Sequence, residues 1–464
     1  MTLRLFSFIL ITHFYLTSCV TKTKQEKISK PNVILIMADD IGFESIGING
    51  ANYLNTPVLD SLANNGINFT NAYSQPLCTP TRVKIMTGKP NYINYEAFAY
   101  LNPDQKTFGN LFKENGYKTA VAGKWQLNGV QSDISNNQDM ERPNKFGFDE
   151  YSLWWLNERG DRFSNPNIFQ NGSKVQTTID DYGPDIFTNF IMNFIEKNRN
   201  TPFFVYYPMA LVHDPFRPTP DSEEWNEINK RNIGNDPVYF DDMVNYMDKV
   251  VGKICNSLKE NNLEDNTLLI FVGDNGTDPD VTTVNNGLEI PGSKGGSIIY
   301  SSNVPMIISW NQQIKKANTS DVLIDFTDFY ATFEDILNVN KKDSYGKSFL
   351  PLLIDKNYDE RDVLITYYNP MWGSRGLNRG VYAQDKKYKL YKNGSFFDYL
   401  NDPYEREKIN LEYLSPREKE ILKKLQKSLD TVPDLPKINH NNWKERLREV
   451  RQSGKFDSNW KVIK

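Results

Sequence analysis

Asn32-Val33-Ile34-Leu35-Ile36-Met37-Ala38-Asp39-Asp40 is the stretch on which the fold turns: an unbroken apolar run, Val33 to Met37, leads straight into two carboxylates. A short apolar run without alternation, bounded by turn residues, reads as a strand buried on both faces, the kind found in parallel sheets covered by helices. Four more such runs follow at Thr119 to Ala122, Phe203 to Tyr207, Leu268 to Val272 and Val304 to Ile308, and helical periodicity fills intervals such as Tyr239 to Asn261. This order predicts an α/β chain with a large mixed, mostly parallel sheet flanked by helices. Beyond about residue 360 the texture changes. Val363 to Tyr367, Gly380 to Ala383 and Tyr388 to Tyr391 are joined by short Asn, Asp and Gly turns, and Ser415 to Leu429 has a helical pattern. A smaller C-terminal antiparallel sheet plus helix is expected there.

Ligands of open α/β sheets gather beyond the carboxyl ends of the strands. The residues after the apolar runs are therefore the first candidates: Asp39 and Asp40, Lys124, His213, then Asp274 and Asn275, with Lys294 on the loop entering the fifth run. Taken singly, each has an ordinary explanation as a helix cap, surface lysine or turn former. Their common placement singles them out. Three carboxylates at one sheet edge repel, each pair costing roughly 4 kcal/mol at about 4 Å and an effective dielectric near 20, so the cluster calls for protonation or a cation. Oxygen ligation completed by Asn275 suits calcium or magnesium; paired His or Cys ligands for zinc are missing, and calcium tolerates irregular geometry better.

Cys78-Thr79-Pro80-Thr81-Arg82 is the most specific segment. Pro80 fits the first turn of a helix, which places Cys78 at the helix N-terminus, where backbone N–H groups attract anions, and Arg82 one turn along. By itself the pentapeptide also fits a buried structural cysteine.

The chain has 464 residues, 39% hydrophobic and 24% charged, with net charge −4. That is the composition of a soluble globular protein of more than one domain, without the basic footprint of a nucleic-acid binder. Arg4 followed by the apolar Leu5 to Leu16 reads as an export signal, too short to span a bilayer. Leu16-Thr17-Ser18-Cys19 resembles a bacterial lipoprotein box, which predicts cleavage before Cys19 and lipidation of that cysteine; an ordinary secretory signal is the alternative. The expected division is a signal peptide at 1–18, a lysine-rich tether at 19–30, a catalytic domain at 31–360 and a C-terminal subdomain at 361–464 ending in a basic tail. Of the three cysteines, Cys78 and Cys255 remain for a disulfide unless Cys78 is chemically converted.

Taken together, these residues resemble the formylglycine-dependent sulfatases of the alkaline phosphatase superfamily. The resemblance runs from Asn32-Val33-Ile34-Leu35-Ile36 to Asn401-Asp402-Pro403-Tyr404-Glu405. It implies that a formylglycine-generating or anaerobic sulfatase-maturating enzyme oxidises Cys78 to formylglycine. It implies one calcium ion held by Asp39, Asp40, Asp274 and Asn275 and touched by converted Cys78. It further implies that Arg82 steadies the formylglycine, Lys124 and Lys294 hold sulfate, and His213 stands near the leaving oxygen. Gln126 occupies a position where the family usually has histidine; glutamine cannot accept a proton near neutral pH. Tyr300-Ser301-Ser302-Asn303 also departs from the usual pattern.

The substrate implied by family analogy is a sulfated poly- or oligosaccharide, of algal type such as ulvan, carrageenan or fucoidan, with glycosaminoglycans open. Trp154-Trp155, Arg159 to Arg162 and Trp372 to Arg379 offer aromatic and cationic groups for sugar and anion contacts, with Gln126, Trp372 and Arg375 as candidate substrate-binding residues. A phosphate or phosphonate monoester hydrolase on the same scaffold, and a catalytically impaired surface polysaccharide-binding protein, are the rival functions. Export and lipidation place the expected protein in the periplasm or at the outer membrane or cell surface.

Overall fold

The structure, a computed structural model, describes residues 30–129, 139–339, 344–370 and 379–435. The signal segment, Cys19, most of the tether, Trp372, Arg375 and the basic tail lie outside the described residues. No helix among the described residues is long and apolar enough to cross a membrane.

A ten-stranded sheet forms the centre, in the spatial order Asn318–Ser320, Ile67–Phe69, Met306–Ser309, Thr267–Gly273, Asn32–Ala38, Phe203–Pro208, Lys118–Lys124, Glu150–Trp154, Ile168–Gln170 and Ser173–Lys174. The five strands from Thr267–Gly273 to Glu150–Trp154 are mutually parallel. Asn32–Ala38 shows why the unbroken apolar run was needed. Successive side chains of a strand point to opposite faces. Val33, Leu35 and Met37 enter one core, with Val83 and Ile85 of the helix Cys78–Thr87. Ile34, Ile36 and Ala38 enter the other, with Phe187 and Ile191 of Gly183–Lys197 and Met243 and Val250 of Phe240–Glu260.

The fifth apolar run departs from the all-parallel pattern. Val304 and Pro305 lead into the strand Met306–Ser309, which pairs antiparallel with Thr267–Gly273, Met306 opposite Val272. Reversal has a functional result: the loop entering this strand, which carries Lys294, arrives at the same edge where the parallel strands end.

The C-terminal sheet is a four-stranded antiparallel meander of Leu364–Tyr368, Gly380–Gln384, Tyr388–Tyr391 and Phe396–Asp398. The helix Pro416–Leu429 covers it, Leu425 and Leu429 packing on Val381, Ala383 and Leu390. Ser415 caps this helix reciprocally with Glu418, satisfying two backbone donors that a helix start leaves open. The alternative of a Cys78–Cys255 disulfide is not realised: both thiols are free. Cys255 packs with the second core while the helix begun by Cys78 packs into the first, so the sheet lies between them.

Candidate active site

Strand register assembles the acidic cluster. Ala38 pairs with Gly273, so Asp39 and Asp274 leave adjacent strands side by side, and the Asp274 N–H donates to Ala38 O at 2.9 Å. Asp40 turns into the left-handed region at φ 59° and its N–H donates to Asp274 Oδ1 at 3.1 Å. Lys124 ends its own strand one place beyond Phe203–Pro208. The preceding Gly123, at φ 118°, is required there, because a Cβ would stand 2.0 Å from Pro208 O.

Cys78 is the first residue of its helix and is buried, and its Sγ lies within 4.8 Å of carboxylate oxygens of Asp39 and Asp274. A second group of similar compactness joins Asp39, Asp40 and His213. Around them stand the cations. Lys124 Nζ meets Asp39 Oδ2 at 2.5 Å. Arg82 donates from Nη1 to Lys124 O at 2.7 Å and from Nη2 to Asp274 Oδ2 at 3.2 Å, with Asp39 Oδ1 at 3.7 Å. Lys294 pairs with Asp40 and lies 3.2 Å from His213 Nε2 and 3.6 Å from Asp278. Asn275 Nδ2 donates to Asp40 Oδ1 at 2.8 Å.

The electrostatics follow from burial opposed by these neighbours. Burial alone would raise Asp39, but Lys124, with His213, Arg82 and Lys294, overrides it and holds the carboxyl below the usual range. Burial and the charge on Asp39 push Asp274 well above that range. Burial would depress Lys294, yet Asp40, with Cys78 and Asp278, keeps its ammonium above the ordinary value. Burial pushes the Cys78 thiol up and the His213 imidazole down. Asp39 Oδ1 and Asn275 Oδ1 are enclosed and accept no hydrogen bond. Two enclosed acceptors without donors, beside three buried carboxylates, fit a hard cation with oxygen ligands.

The sequence-expected residues Asp39, Asp40, Cys78, Arg82, Lys124, His213, Asp274, Asn275 and Lys294 thus come together. Gln126 lies two residues beyond Lys124, buried, at φ 51°, with Oε1 lacking a partner. Trp154 is completely buried and serves the core, whereas Trp155 is only partly buried and faces Arg159 at 5.2 Å. Tyr300 stacks obliquely on Tyr404, and Ser301, Ser302 and Asn303 are buried, so that divergent segment packs inside. Two acids escaped sequence reasoning. Asp214 Oδ1 is 2.6 Å from His213 Nδ1, and Asp278 faces Lys294. Their only sequence signal is nearness to residues already singled out.

An open mixed sheet with buried carboxylates and cations gathered at its carboxyl edge is the arrangement of the alkaline-phosphatase-like superfamily of hydrolases. The chain belongs to the sulfatase family of sulfuric ester hydrolases: the model of that family, Sulfatase, matches residues 31–339, and that of N-sulphoglucosamine sulphohydrolase, C-terminal, matches 298–434. It is 34% identical over 210 residues to an N-acetylglucosamine-6-O-sulfatase of Bacteroides thetaiotaomicron, a match over 44% of this chain that spans about a third, 34%, of that relative. It is 26% identical to an ulvan-active sulfatase of Formosa agariphila, over 86% of this chain and 82% of that one. The crystal structure of Ps i-CgsB in complex with k-i-k-neocarrahexaose shares the fold, with a TM-score of 0.72 at 24% identity, covering 93% of this chain and 99% of that one.

Proposed function

We propose that this chain is an exported sulfatase that hydrolyses sulfate esters of a sulfated poly- or oligosaccharide, with residue 78 as nucleophile after oxidation to formylglycine and with a calcium ion held by Asp39, Asp40, Asp274 and Asn275. The observation that carries the reading is the convergence of Cys78 with Asp39 and Asp274 within 4.8 Å, beside Lys124 and Lys294. The modified residue supplies an oxygen nucleophile for sulfur, and the calcium ion supplies fixed positive charge beside it.

The chain's own residues do the rest. Lys124 and Lys294 face the nonbridging oxygens, where positive charge counters what builds up in the transition state. Arg82, tied to Lys124 O and Asp274, holds residue 78's helix against the acidic cluster. Asp214 fixes the His213 ring through Nδ1, leaving Nε2 toward Lys294. The Lys294–His213 pair is then the proton source for the leaving alcohol oxygen. Algal polymers head the candidate substrates, supported by the likeness to the ulvan-active relative. Lipidation at Cys19 rests on the sequence alone.

Hydrolysis of an aryl sulfate and of the matching aryl phosphate, by wild type and Cys78→Ala matured alike, tests the reading. Wild type should favour the sulfate, Cys78→Ala should lose at least about 100-fold in kcat without a shift in thermal midpoint, and mass spectrometry should find an aldehyde at residue 78. Preference for the phosphate, or undiminished turnover in Cys78→Ala, would reverse it.

A further inference from the structure

Arg162 is buried, with only 4% of its surface exposed. Its Nη1 is enclosed and has no hydrogen-bond partner, and among the described residues no carboxylate pairs with it. Other buried arginines are matched. Arg82 has Asp274 at 3.2 Å, Arg142 has Asp139 at 2.9 Å and Arg231 has Asp180 at 2.7 Å. An unmatched buried guanidinium is costly unless a ligand completes it.

What fixes Arg162 is an aromatic platform. Its guanidinium lies 4.1 Å from the centre of the Trp154 ring. Trp154 ends the strand next to that of Lys124 and pairs with Lys124 in register, so the platform stands at the same sheet edge as the active site, one strand away. Burial weighs most against the Arg162 charge; Asp39, Asp214 and Asp40 offset that cost in part, and Arg159, of like sign, adds to it. Two of these, Asp39 and Asp40, are proposed calcium ligands. A cation held there would weaken the field that compensates Arg162 and make an anion the more favourable partner.

We infer that Arg162, stacked on Trp154, is a second anion site beside the sulfate site and reads an additional oxyanion, sulfate or carboxylate, carried by the sugar that bears the scissile ester. The inference rests on the sulfatase reading and narrows it: the substrate is charged at two nearby positions. A guanidinium suits this task because its planar fork meets two oxyanion oxygens at once.

Selenate, a sulfate mimic with an anomalous signal, tests this without knowledge of the sugar. Crystals of the full chain with calcium, soaked in selenate, should show one anion between Lys124 and Lys294 and another on Arg162. Arg162→Met should lose only the second. No selenate at Arg162 in wild type, or its persistence in Arg162→Met, overturns the inference; selenate on Arg162 without one at the lysine pair instead counts against the sulfatase reading. In turnover, Arg162→Met should stay within about threefold of wild type on 4-nitrophenyl sulfate, which carries a single charge. It should lose more than about tenfold in kcat/KM on whichever sulfated oligosaccharide wild type cleaves, the loss expected for a charged contact. Equal losses on both would also overturn the inference, because they mark a general defect.

Discussion

Glu44 lies four residues past Asp40, its carboxyl folded back so that a Cβ on Gly42 would stand 2.3 Å from Oε1. Thr277 donates to Oε1 at 2.6 Å, while Oε2 is enclosed without a partner. Burial outweighs the Thr277 bond and pushes the carboxyl from 4.5 to about 7. The folded chain therefore keeps a proton that the unfolded chain has released. The stabilisation is complete below pH 4.5, drains away as pH rises toward about 7, and is gone above it. Glu44→Gln keeps the hydrogen-bonding shape without the charge. In urea unfolding it should gain up to about 3 kcal/mol over wild type at pH 8 and nothing at pH 4; an equal gain at both would show that the carboxyl is not the cause. At this scale sequence reads only what chain position exposes. Cys78, Asp39 and Lys124 stand at strand or helix ends and were legible. Glu44 takes its character from Thr277, more than two hundred positions away, and was not; for Arg162 the Arg159 to Arg162 stretch was legible but its seat on the Trp154 ring was not.

Between elements, the smaller sheet reaches the active-site loop through Lys389 and Tyr391. Lys389, on the strand Tyr388–Tyr391, is 2% exposed, pairs with Glu405 at 2.7 Å, lies 3.9 Å above the Tyr382 ring and donates to Ser297 O. Tyr391 Oη donates to Glu405 Oε2 and lies 3.3 Å from the same Ser297 carbonyl. Ser297 is three residues past Lys294, so this contact braces the loop that carries that lysine. Lys389→Met leaves the Glu405 carboxylate buried with only the Tyr391 hydroxyl for a partner, which should cost about 3 kcal/mol in thermal unfolding. It should also depress kcat on an aryl sulfate more than Lys389→Arg does; unchanged stability and kcat would show the brace to be idle. Sequence foresaw the alternating strands here and the helix to within a residue, because pattern and capping are local. It missed the direction of Met306–Ser309, since an apolar run reads the same in a parallel or an antiparallel strand, and it missed Ile67–Phe69 and Asn318–Ser320, too short to carry a period.

Across the whole molecule, residues 39 to 294 must converge before a cation has its ligands, so a cation that binds only the folded chain adds to its stability. Calcium at 100 times its dissociation constant should add about 2.7 kcal/mol, seen as a raised thermal midpoint that a chelator reverses. Asn275→Ala should blunt the response, and a midpoint indifferent to calcium would remove the proposed ion. The layered α/β plan was legible at this scale because runs buried on both faces leave few other architectures. The pairing of partners across the sheet edge was not, since register is a property of two strands.

The helix Cys78–Thr87 has every residue buried. Any enzyme that rewrites Cys78 must grip the chain around it, and the finished fold offers no handle. Such chemistry therefore has a deadline: it has to act on the nascent or still-extended polypeptide, before the sheet closes over that helix. On the proposed reading, a molecule that folded before such chemistry reached it would keep its thiol.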